Sequence, residues 1–262
     1  MEPSLEKLDA EKIIATIELL TPPEIIVEDI TGSLMDDATE SAVQSQGPSI
    51  VLVAEEQTAG RGRRNRPWES ARSLGLYMAV VLSESRIGRV GGVLSLIAGL
   101  AACEAIKAVG NVNAAIKWPN DIMVMNRKIA GILIEKPACV PAVIIGIGVN
   151  VHHRLKDFSA ELEKTATSIY IETGRDVSRN VVAGHLFTEI LSKIDEFHKG
   201  AGPTLLNSYK QACETLGTEV KITDGPETCK GTAVDVSDDG ALVLKTVSGK
   251  RKIYAGDIKP IS

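Results

Sequence analysis

The spacing of apolar residues along the chain predicts several helices. Apolar positions recur with a helical period over residues 5–20, and two prolines directly after this segment stop the helix. A second helix is predicted from the spacing over 90–110, with Gly110 as the residue that ends it. The polar stretch 31–41 opens with possible N-cap residues, and two further helices are predicted over 178–197 and 203–216.

Runs of apolar and β-branched residues predict strands between these helices. The predicted strands cover residues 25–27, 49–54, 74–82 and 143–151, and the runs 114–125 and 128–135 form a hairpin that turns at Asn126-Arg127. From Gly217 the pattern changes to short strands separated by turn residues, which suits a small β-barrel. The sequence therefore predicts an α+β fold, with a mixed sheet and packed helices over residues 1–215 and a β domain over 216–262.

Composition narrows the possible classes of protein. The 262 residues include 29 basic and 34 acidic side chains, so the net charge of −5 argues against a general binder of nucleic acid or of anionic membranes. The N-terminus has no signal-peptide pattern, and the longest apolar stretch is about half of the ~20 residues that a membrane span needs. The four cysteines form no C-x-x-C pair, so they predict reduced core thiols and a cytoplasmic protein.

One loop concentrates positive charge in this acidic chain. Between the strands 49–54 and 74–82 lies Gln57-Thr-Ala-Gly-Arg-Gly-Arg-Arg-Asn-Arg-Pro-Trp68, with four arginines within six residues. Guanidinium groups match the geometry of carboxylates and phosphates, glycines allow a ligand to approach the backbone, and a tryptophan can stack on a flat ring. The segment is either an anion-binding loop or a solvated basic loop.

Three shorter segments add polar groups to apolar surroundings. Lys117-Trp-Pro-Asn-Asp121 reads as a turn that carries a carboxylate, and Lys128 opens an apolar strand with Gly131 three residues on. Gly146-Ile-Gly-Val-Asn150 ends a strand with two glycines and an amide, which alone is weak evidence for phosphate binding. His152-His153 lacks a third ligand at suitable spacing, so we expect solvated histidines and no metal site in the protein itself.

Taken in order, four of these motifs resemble those of the biotin protein ligases. The motifs are Gly60-Arg-Gly-Arg-Arg-Asn-Arg-Pro-Trp68, Lys117-Trp-Pro-Asn-Asp121, Arg127-Lys-Ile-Ala-Gly-Ile-Leu133 and Gly146-Ile-Gly-Val-Asn150. The resemblance implies a class II aminoacyl-tRNA synthetase/biotin ligase-like domain over residues 1–215, followed by an SH3-like barrel. The resemblance is to the form of the family that lacks an N-terminal helix-turn-helix domain, so no DNA partner is expected.

This resemblance implies an ATP-dependent ligase. Biotin's carboxylate attacks the α-phosphate of ATP, with Mg²⁺, to give biotinyl-5′-AMP, and a lysine of a biotin carboxyl carrier domain then takes the biotin. The implied partners are biotin, ATP and the carrier domain of a carboxylase. No membrane partner is implied, and the resemblance allows a homodimer.

The resemblance also implies roles for individual residues. Lys128 would bridge the biotin carboxylate and the α-phosphate, Arg63 would hold both anions, and Asp121 would orient the attacking amine; these three are the catalytic set. The biotin-binding set is Ser33, Gln57, Gly60, Arg61, Gly62, Arg63, Lys128 and Gly131. The ATP- and adenylate-binding set is Arg63, Arg66, Trp68, Asn120, Asp121, Lys128 and Asn150.

One departure from the family pattern leaves alternatives open. The family usually has Ser-Thr-Asn where this chain has Ser33-Leu34-Met35, so two polar partners for the ureido ring are replaced by apolar side chains. A ligase of the related lipoate or octanoate class is therefore one alternative. A non-enzymatic binder that uses the arginine-rich loop for nucleic acid or a partner protein is the other.

Overall fold

A seven-stranded mixed sheet forms the centre of the larger domain. The computed structural model describes residues 5–44, 49–224 and 227–261. The strands of this sheet are β1 (Glu24–Glu28), β2 (Ser49–Ala54), β3 (Gly75–Ser83), β4 (Ala115–Lys117), β5 (Asp121–Val124), β6 (Arg127–Glu135) and β7 (Ala142–Asn150). Their order is β1-β2-β3-β7-β6-β5-β4, with β1 and β2 parallel and the other neighbours antiparallel.

Helices cover both faces of this sheet. They are α1 (Ala10–Ile14), α2 (Leu34–Gln44), α3 (Glu84–Ile87), α4 (Leu94–Gly110), α5 (Ile169–Thr173), α6 (Arg179–Glu196) and α7 (Gly202–Ala212). Along β3, Leu76 and Met78 join the large core with α4 and α6, whereas Tyr77 and Ala79 join a smaller core with α2. Since both faces are covered, the central strands are continuous apolar runs, as the sequence predicted.

The C-terminal domain is a five-stranded antiparallel sheet. It consists of β8 (Glu219–Asp224), β9 (Glu227–Val236), β10 (Leu242–Thr246), β11 (Gly249–Ile253) and β12 (Asp257–Pro260), in the order β11-β10-β9-β8-β12. The predicted β domain is confirmed, although the pairs described for these strands do not join β11 to β12 into a closed barrel. The boundary between residues 215 and 216 falls just before β8 and stays a prediction.

The predicted helix over residues 5–20 is wrong, because contacts with the rest of the chain override its local pattern. Only α1 is helical, and Asp9 caps it by accepting a hydrogen bond from the Lys12 N–H at 2.9 Å. The Leu8 N–H instead donates to the Glu55 carboxylate at 2.7 Å. Beyond α1, the Thr16 side chain packs so closely on Gly184 of α6 that no Cβ would fit there.

Other boundaries also differ from the predicted ones. The run 114–125 forms two strands, because Trp118–Asn120 make a turn between β4 and β5. The hairpin between β5 and β6 turns at Met125 and Asn126, which both have positive φ angles (47° and 62°), and not at Asn126-Arg127. At the end of α4, Asn111 takes the left-handed conformation in place of Gly110.

The segment Glu84–Gly110 has the length and composition of a membrane span, with 27 residues. In the described structure it is divided into α3, a 3₁₀ turn and α4, and most of its apolar window is buried inside the protein. Contacts with the sheet, α6 and α7 therefore account for its apolar character.

Candidate active site

Two adjoining cavities lie between the arginine-rich loop and strands β5 to β7. Cavity A, of about 300 Å³, extends from α2 across β6 and β7 to β12. Cavity B, of about 320 Å³, lies between Asn126 at the β5–β6 turn and the segment 150–166. The linings of both cavities share five residues, namely Pro67, Trp68, Lys117, Asp121 and Lys128. A molecule in one cavity would therefore meet a molecule in the other at these side chains.

Residues of the paired strands β6 and β7 line the two cavities one after the other along the strand direction. Gly131 pairs with Gly148, and Leu133 pairs with Gly146. Asn150, at the end of β7, lines cavity B, whereas Gly146 lines only cavity A. A strand advances about 3.3 Å per residue, so the two strands carry a line of positions that runs from cavity B to the far end of cavity A.

Trp68 separates the two cavities. Its indole lies on the glycines of β6 and β7: a Cβ at Gly148 would overlap the ring, and one at Gly131 would come within 2.9 Å of Cζ3. The indole Nε1 is buried and has no hydrogen-bond partner among the described residues. The two glycines are thus required by the close approach of the ring, and the predicted stacking of Trp68 on a base stays a prediction.

A cation and a carboxylate stand where the cavities meet. The Lys128 Nζ lies 2.6 Å from the Asp121 Oδ1, and 5.2 Å from the centre of the Trp68 ring. The side chains of Lys128 and Asp121 are about one-third exposed, so a ligand can reach both. The Lys128 ammonium is therefore positioned to contact an anion from either cavity.

Arg63 lines cavity A next to this junction. Its Nη1 donates to the Asn120 Oδ1 at 3.0 Å, and the Asn120 Nδ2 donates to the Ile132 carbonyl at 2.9 Å. Burial lowers the pKa of the Arg63 guanidinium, and the charge of Arg64 lowers it further. No carboxylate within the described residues forms an ion pair with Arg63, so this half-buried cation is available to an anionic ligand.

The other arginines hold the loop to its surroundings. Arg64 forms ion pairs with Asp224 (2.6 Å) and Asp257 (3.1 Å) of the C-terminal domain, and Arg66 pairs with the same Asp257 carboxylate. On the other side, Arg61 contacts the carboxylates of Asp36 at 2.6 Å and Glu135 at 3.1 Å. The loop is therefore fastened to both domains above cavity A.

Most of the site residues predicted from the sequence come together. Cavity A is lined by Gln57, Arg61, Gly62, Arg63, Arg66, Trp68, Asn120, Asp121, Lys128 and Gly131, and cavity B by Trp68, Asp121, Lys128 and Asn150. Ser33 and Gly60 line neither cavity. The buried Ser33 hydroxyl accepts a hydrogen bond from Arg61 at 3.4 Å, and Gly60 packs against Trp68 and Ser70.

Trp118 lies beside the site and has a structural role. The ring is buried, and its Nε1 donates to the Gly240 carbonyl, at the turn between β9 and β10, at 3.1 Å. The backbone N–H of Trp118 donates to the Thr215 hydroxyl at 3.0 Å. Trp118 therefore connects the turn that carries Asn120 and Asp121 to the C-terminal domain.

The expectation of solvated histidines at residues 152 and 153 is wrong. Both are buried, and the His153 ring lines cavity B, where it stacks on Phe158 with ring centres 5.0 Å apart. Burial lowers the pKa of His153 to about 4. Within residues 5–44, 49–224 and 227–261, no cluster of three metal-binding side chains occurs. Nothing in the sequence distinguishes His153 and Phe158 from ordinary core or surface residues.

We expect His153 to make the protein sensitive to acid. Its folded pKa of about 4 lies below the ordinary 6.5, so the unfolded chain binds more protons between these values and stability falls as the pH is lowered through them. Between about pH 7.5 and pH 5 this loss amounts to roughly 2 kcal/mol. Urea unfolding at the two pH values, compared between the wild type and His153→Gln, measures it.

The neighbouring His152 serves as the internal control. Burial also lowers the pKa of His152, and this contribution is present in both proteins. The His153→Gln variant is thus expected to keep only part of the acid sensitivity. An equal loss of stability in the wild type and the variant would show that His153 is not the group that titrates.

Both domains of the chain match known protein families. Residues 30–151 match the biotin/lipoate A/B protein ligase family, and residues 215–259 match the biotin protein ligase C-terminal domain. The chain is 32% identical to the bifunctional ligase/repressor BirA of Bacillus spizizenii, over 90% of this chain and 73% of the relative. It is also 32% identical to the biotin–[acetyl-CoA-carboxylase] ligase of Mycobacterium tuberculosis, over 87% and 85% of the two chains.

A solved structure has the same fold. The biotin protein ligase from Aquifex aeolicus in complex with biotin and ATP superposes with a TM-score of 0.80 at 27% identity, covering 91% of this chain and 98% of that chain. The arginine-rich loop, Asn120, Asp121 and Lys128 lie within the residues 30–151 that match the family. The chain therefore belongs to the biotin protein ligase branch of the biotin/lipoate A/B protein ligase family.

Proposed function

We propose that this protein joins biotin to a lysine of a carrier domain in two steps driven by ATP. In the first step a biotin carboxylate oxygen attacks the α-phosphorus, the bond to the β-phosphate breaks, and pyrophosphate leaves with the electron pair. In the second, the lysine amine attacks the acyl carbon of biotinyl-5′-AMP, loses a proton and releases AMP. The observation that carries this proposal is that Lys128 lies where two separate cavities meet, so that each cavity can take one reactant.

The charges on the site residues fit the first step. Two anions have to approach each other, and the repulsion falls when fixed cations lie between them. The Lys128 ammonium lines both cavities, and the Arg63 guanidinium lines cavity A, where Asn120 holds it in place. We assign the acid to cavity A and the nucleotide to cavity B, since Asn150, His153 and the flat Phe158 ring line only the latter.

The second step needs a group that receives or orients the amine proton, because a lysine amine is protonated at neutral pH. We assign this role to Asp121, whose carboxylate lines both cavities and is in contact with Lys128. The Trp68 ring and the arginine-rich loop would exclude water from the mixed anhydride until the acceptor arrives.

Magnesium enters this proposal with the nucleotide. Mg²⁺ in nucleotide sites is commonly held by one or two carboxylates together with substrate phosphates. The Asp121 carboxylate, which is about one-third exposed at the junction, fits that requirement and would hold the ion; the ion would supply further positive charge at the phosphates.

The partners follow from the same site. We propose a biotin carboxyl carrier domain as the acceptor, in a cytoplasmic setting that suits the free cysteines. DNA is not expected as a ligand, since the net charge is −5 and Arg61, Arg64 and Arg66 are occupied by carboxylates. A homodimer could form by strand pairing at β1, which ends the order of the large sheet among the described strands; sedimentation with and without ligand tests it.

The activity is tested with purified protein, ATP, Mg²⁺, biotin and a carrier domain. We expect one biotin on one carrier lysine by mass spectrometry, and no transfer without ATP. Transfer of lipoate or octanoate but not biotin would reassign the substrate and leave the chemistry in place. No transfer of any acid, together with strongly salt-dependent binding to polynucleotide, would favour the non-enzymatic binder.

Arg63→Gly should separate synthesis of the adenylate from its retention. The substitution removes a cation that borders the acid cavity, whereas Arg64 and Arg66 still fasten the loop to the C-terminal domain. We expect a folded protein that releases biotinyl-5′-AMP about ten to a hundred times faster, in line with the loss of one charged hydrogen bond to an anion. Release is measured by dilution from preloaded protein; unchanged retention would contradict the assigned role of Arg63.

A further inference from the structure

The end of cavity A farthest from the junction is apolar. Leu34, Met35, Leu133 and Gly146 line cavity A but not cavity B. Met35 is buried, and its sulfur lies over β7, within 2.5 Å of where a Cβ on Gly146 would stand. The Lys128 Nζ lies 3.0 Å from where a Cβ on Gly131 would stand, and Leu133 is two residues further along β6, which corresponds to roughly 7 Å. An acid with its carboxylate at Lys128 would therefore place its ring beside Met35.

The polar groups near this end are already bonded within the protein. The Gln57 Oε1 accepts the Leu34 N–H at 2.9 Å, and the Gln57 Nε2 donates to the Ser70 hydroxyl at 3.0 Å. Arg61 is shared between Asp36 and Glu135, and it also donates to Ser33. A polar ring that arrives here thus has to share these partners or leave some of its own groups unpaired.

Biotin carries two kinds of ring at this end: a ureido ring with two N–H donors and one carbonyl, fused to a thioether ring. The Met35 side chain packs well on the thioether ring but is at best a weak acceptor for the ureido N–H groups. We propose that Met35 determines the acid specificity of this site, by holding the sulfur-containing ring through packing and leaving the ureido ring with few partners. The chain then discriminates only modestly between biotin and a sulfur-ring acid without a ureido group, such as lipoate. This inference rests on the proposed function.

The test compares acids and variants in one assay of the first step. Pyrophosphate release is measured with biotin and with lipoate for the wild type, Met35→Asn and the matched apolar control Met35→Leu. The amide in Met35→Asn supplies a partner for the ureido ring, so the ratio of kcat/KM for biotin to that for lipoate should rise about tenfold. The control should keep the wild-type ratio, and the KM for ATP should be the same in all three proteins.

The outcomes separate this inference from the proposed function. A wild type that releases pyrophosphate with neither acid refutes the proposed function itself. A wild type active with biotin whose ratio is unchanged in Met35→Asn, or equally changed in Met35→Leu, overturns the role of Met35. Should Met35→Asn fail to fold by thermal melting, Met35→Gln, whose amide side chain has about the length of methionine, is measured in the same way; a ratio that does not rise in that variant also overturns the inference.

Discussion

Lys128→Ala should nearly abolish formation of biotinyl-5′-AMP while the protein stays folded. Lys128 lies where cavities A and B meet, and its ammonium is 2.6 Å from the Asp121 carboxylate. Removing it takes away the cation between the two reacting anions and leaves the Asp121 charge facing them. We expect a loss of about a thousandfold in kcat for pyrophosphate release, which is the upper part of the range for one electrostatic contact in a transition state. The measurement is pyrophosphate release at saturating biotin and ATP.

Two controls show whether the position of this charge matters. Lys136→Ala removes an exposed lysine just beyond β6 that pairs with Glu84, and it should keep wild-type activity. Lys128→Arg keeps a positive charge at the junction and should recover part of the rate. Activity of Lys128→Ala close to that of the wild type would refute the role of Lys128 in the first step.

The strands of the large sheet could be predicted well from the sequence. The predicted strand 49–54 is found as β2 with the same bounds. A strand buried on both faces needs a continuous apolar run, and such a short apolar run is typical of few other elements. The segment 5–20 has an equally clear helical pattern, yet most of it is not helical. Its backbone is held by Glu55, 47 residues from Leu8, and such distant contacts leave no trace in local spacing.

The charged part of the site was predictable for a different reason. Four arginines in six residues, and a lysine that opens an apolar strand, are costly arrangements unless an anion compensates for them, so they are conspicuous in the sequence. Arg61, Arg63, Arg66 and Lys128 all line cavity A. Asp257, which pairs with Arg64 and Arg66, lies more than 190 residues further along the chain, and its place could be seen only in the fold.

The apolar part of the site could be predicted only through the family resemblance, which set Leu34 and Met35 against polar residues of the family, because by their local pattern these residues look like core residues. Met35 is the second residue of the amphipathic helix α2, so its local pattern is that of any α2 residue packed on the sheet. Only the pairing that sets Gly146 under its sulfur shows that it closes a cavity. Ser33 and Gly60, which the resemblance placed at the ligand, line neither cavity in the described structure.

A buried ion pair fastens the start of the arginine-rich loop to the rest of the larger domain. Arg179 of α6 and Glu55, which directly follows β2, are 1% and 4% exposed in their side chains and lie 2.7 Å apart. The carboxylate also accepts hydrogen bonds from the Leu8 N–H and the Ser73 hydroxyl. Burial alone raises the pKa of Glu55, but these hydrogen bonds and the Arg179 charge outweigh it, so the pKa lies below its ordinary value.

Arg179→Met should therefore destabilise the protein strongly, because it leaves the Glu55 carboxylate buried without its partner. We expect a loss of about 3–5 kcal/mol in the free energy of unfolding, measured with urea at neutral pH. The control Arg86→Met breaks the surface pair with Asp195, at 2.6 Å, and should change stability by less than about 1 kcal/mol. In Arg179→Met we expect the folded pKa of Glu55 to lie above its unfolded value, so the deficit relative to the wild type should shrink as the pH falls through that raised pKa, and shrink further below about pH 4.3, where the wild type loses its own Glu55 contribution. A deficit that is the same at neutral and acidic pH would instead assign the loss to the packing of the Arg179 side chain.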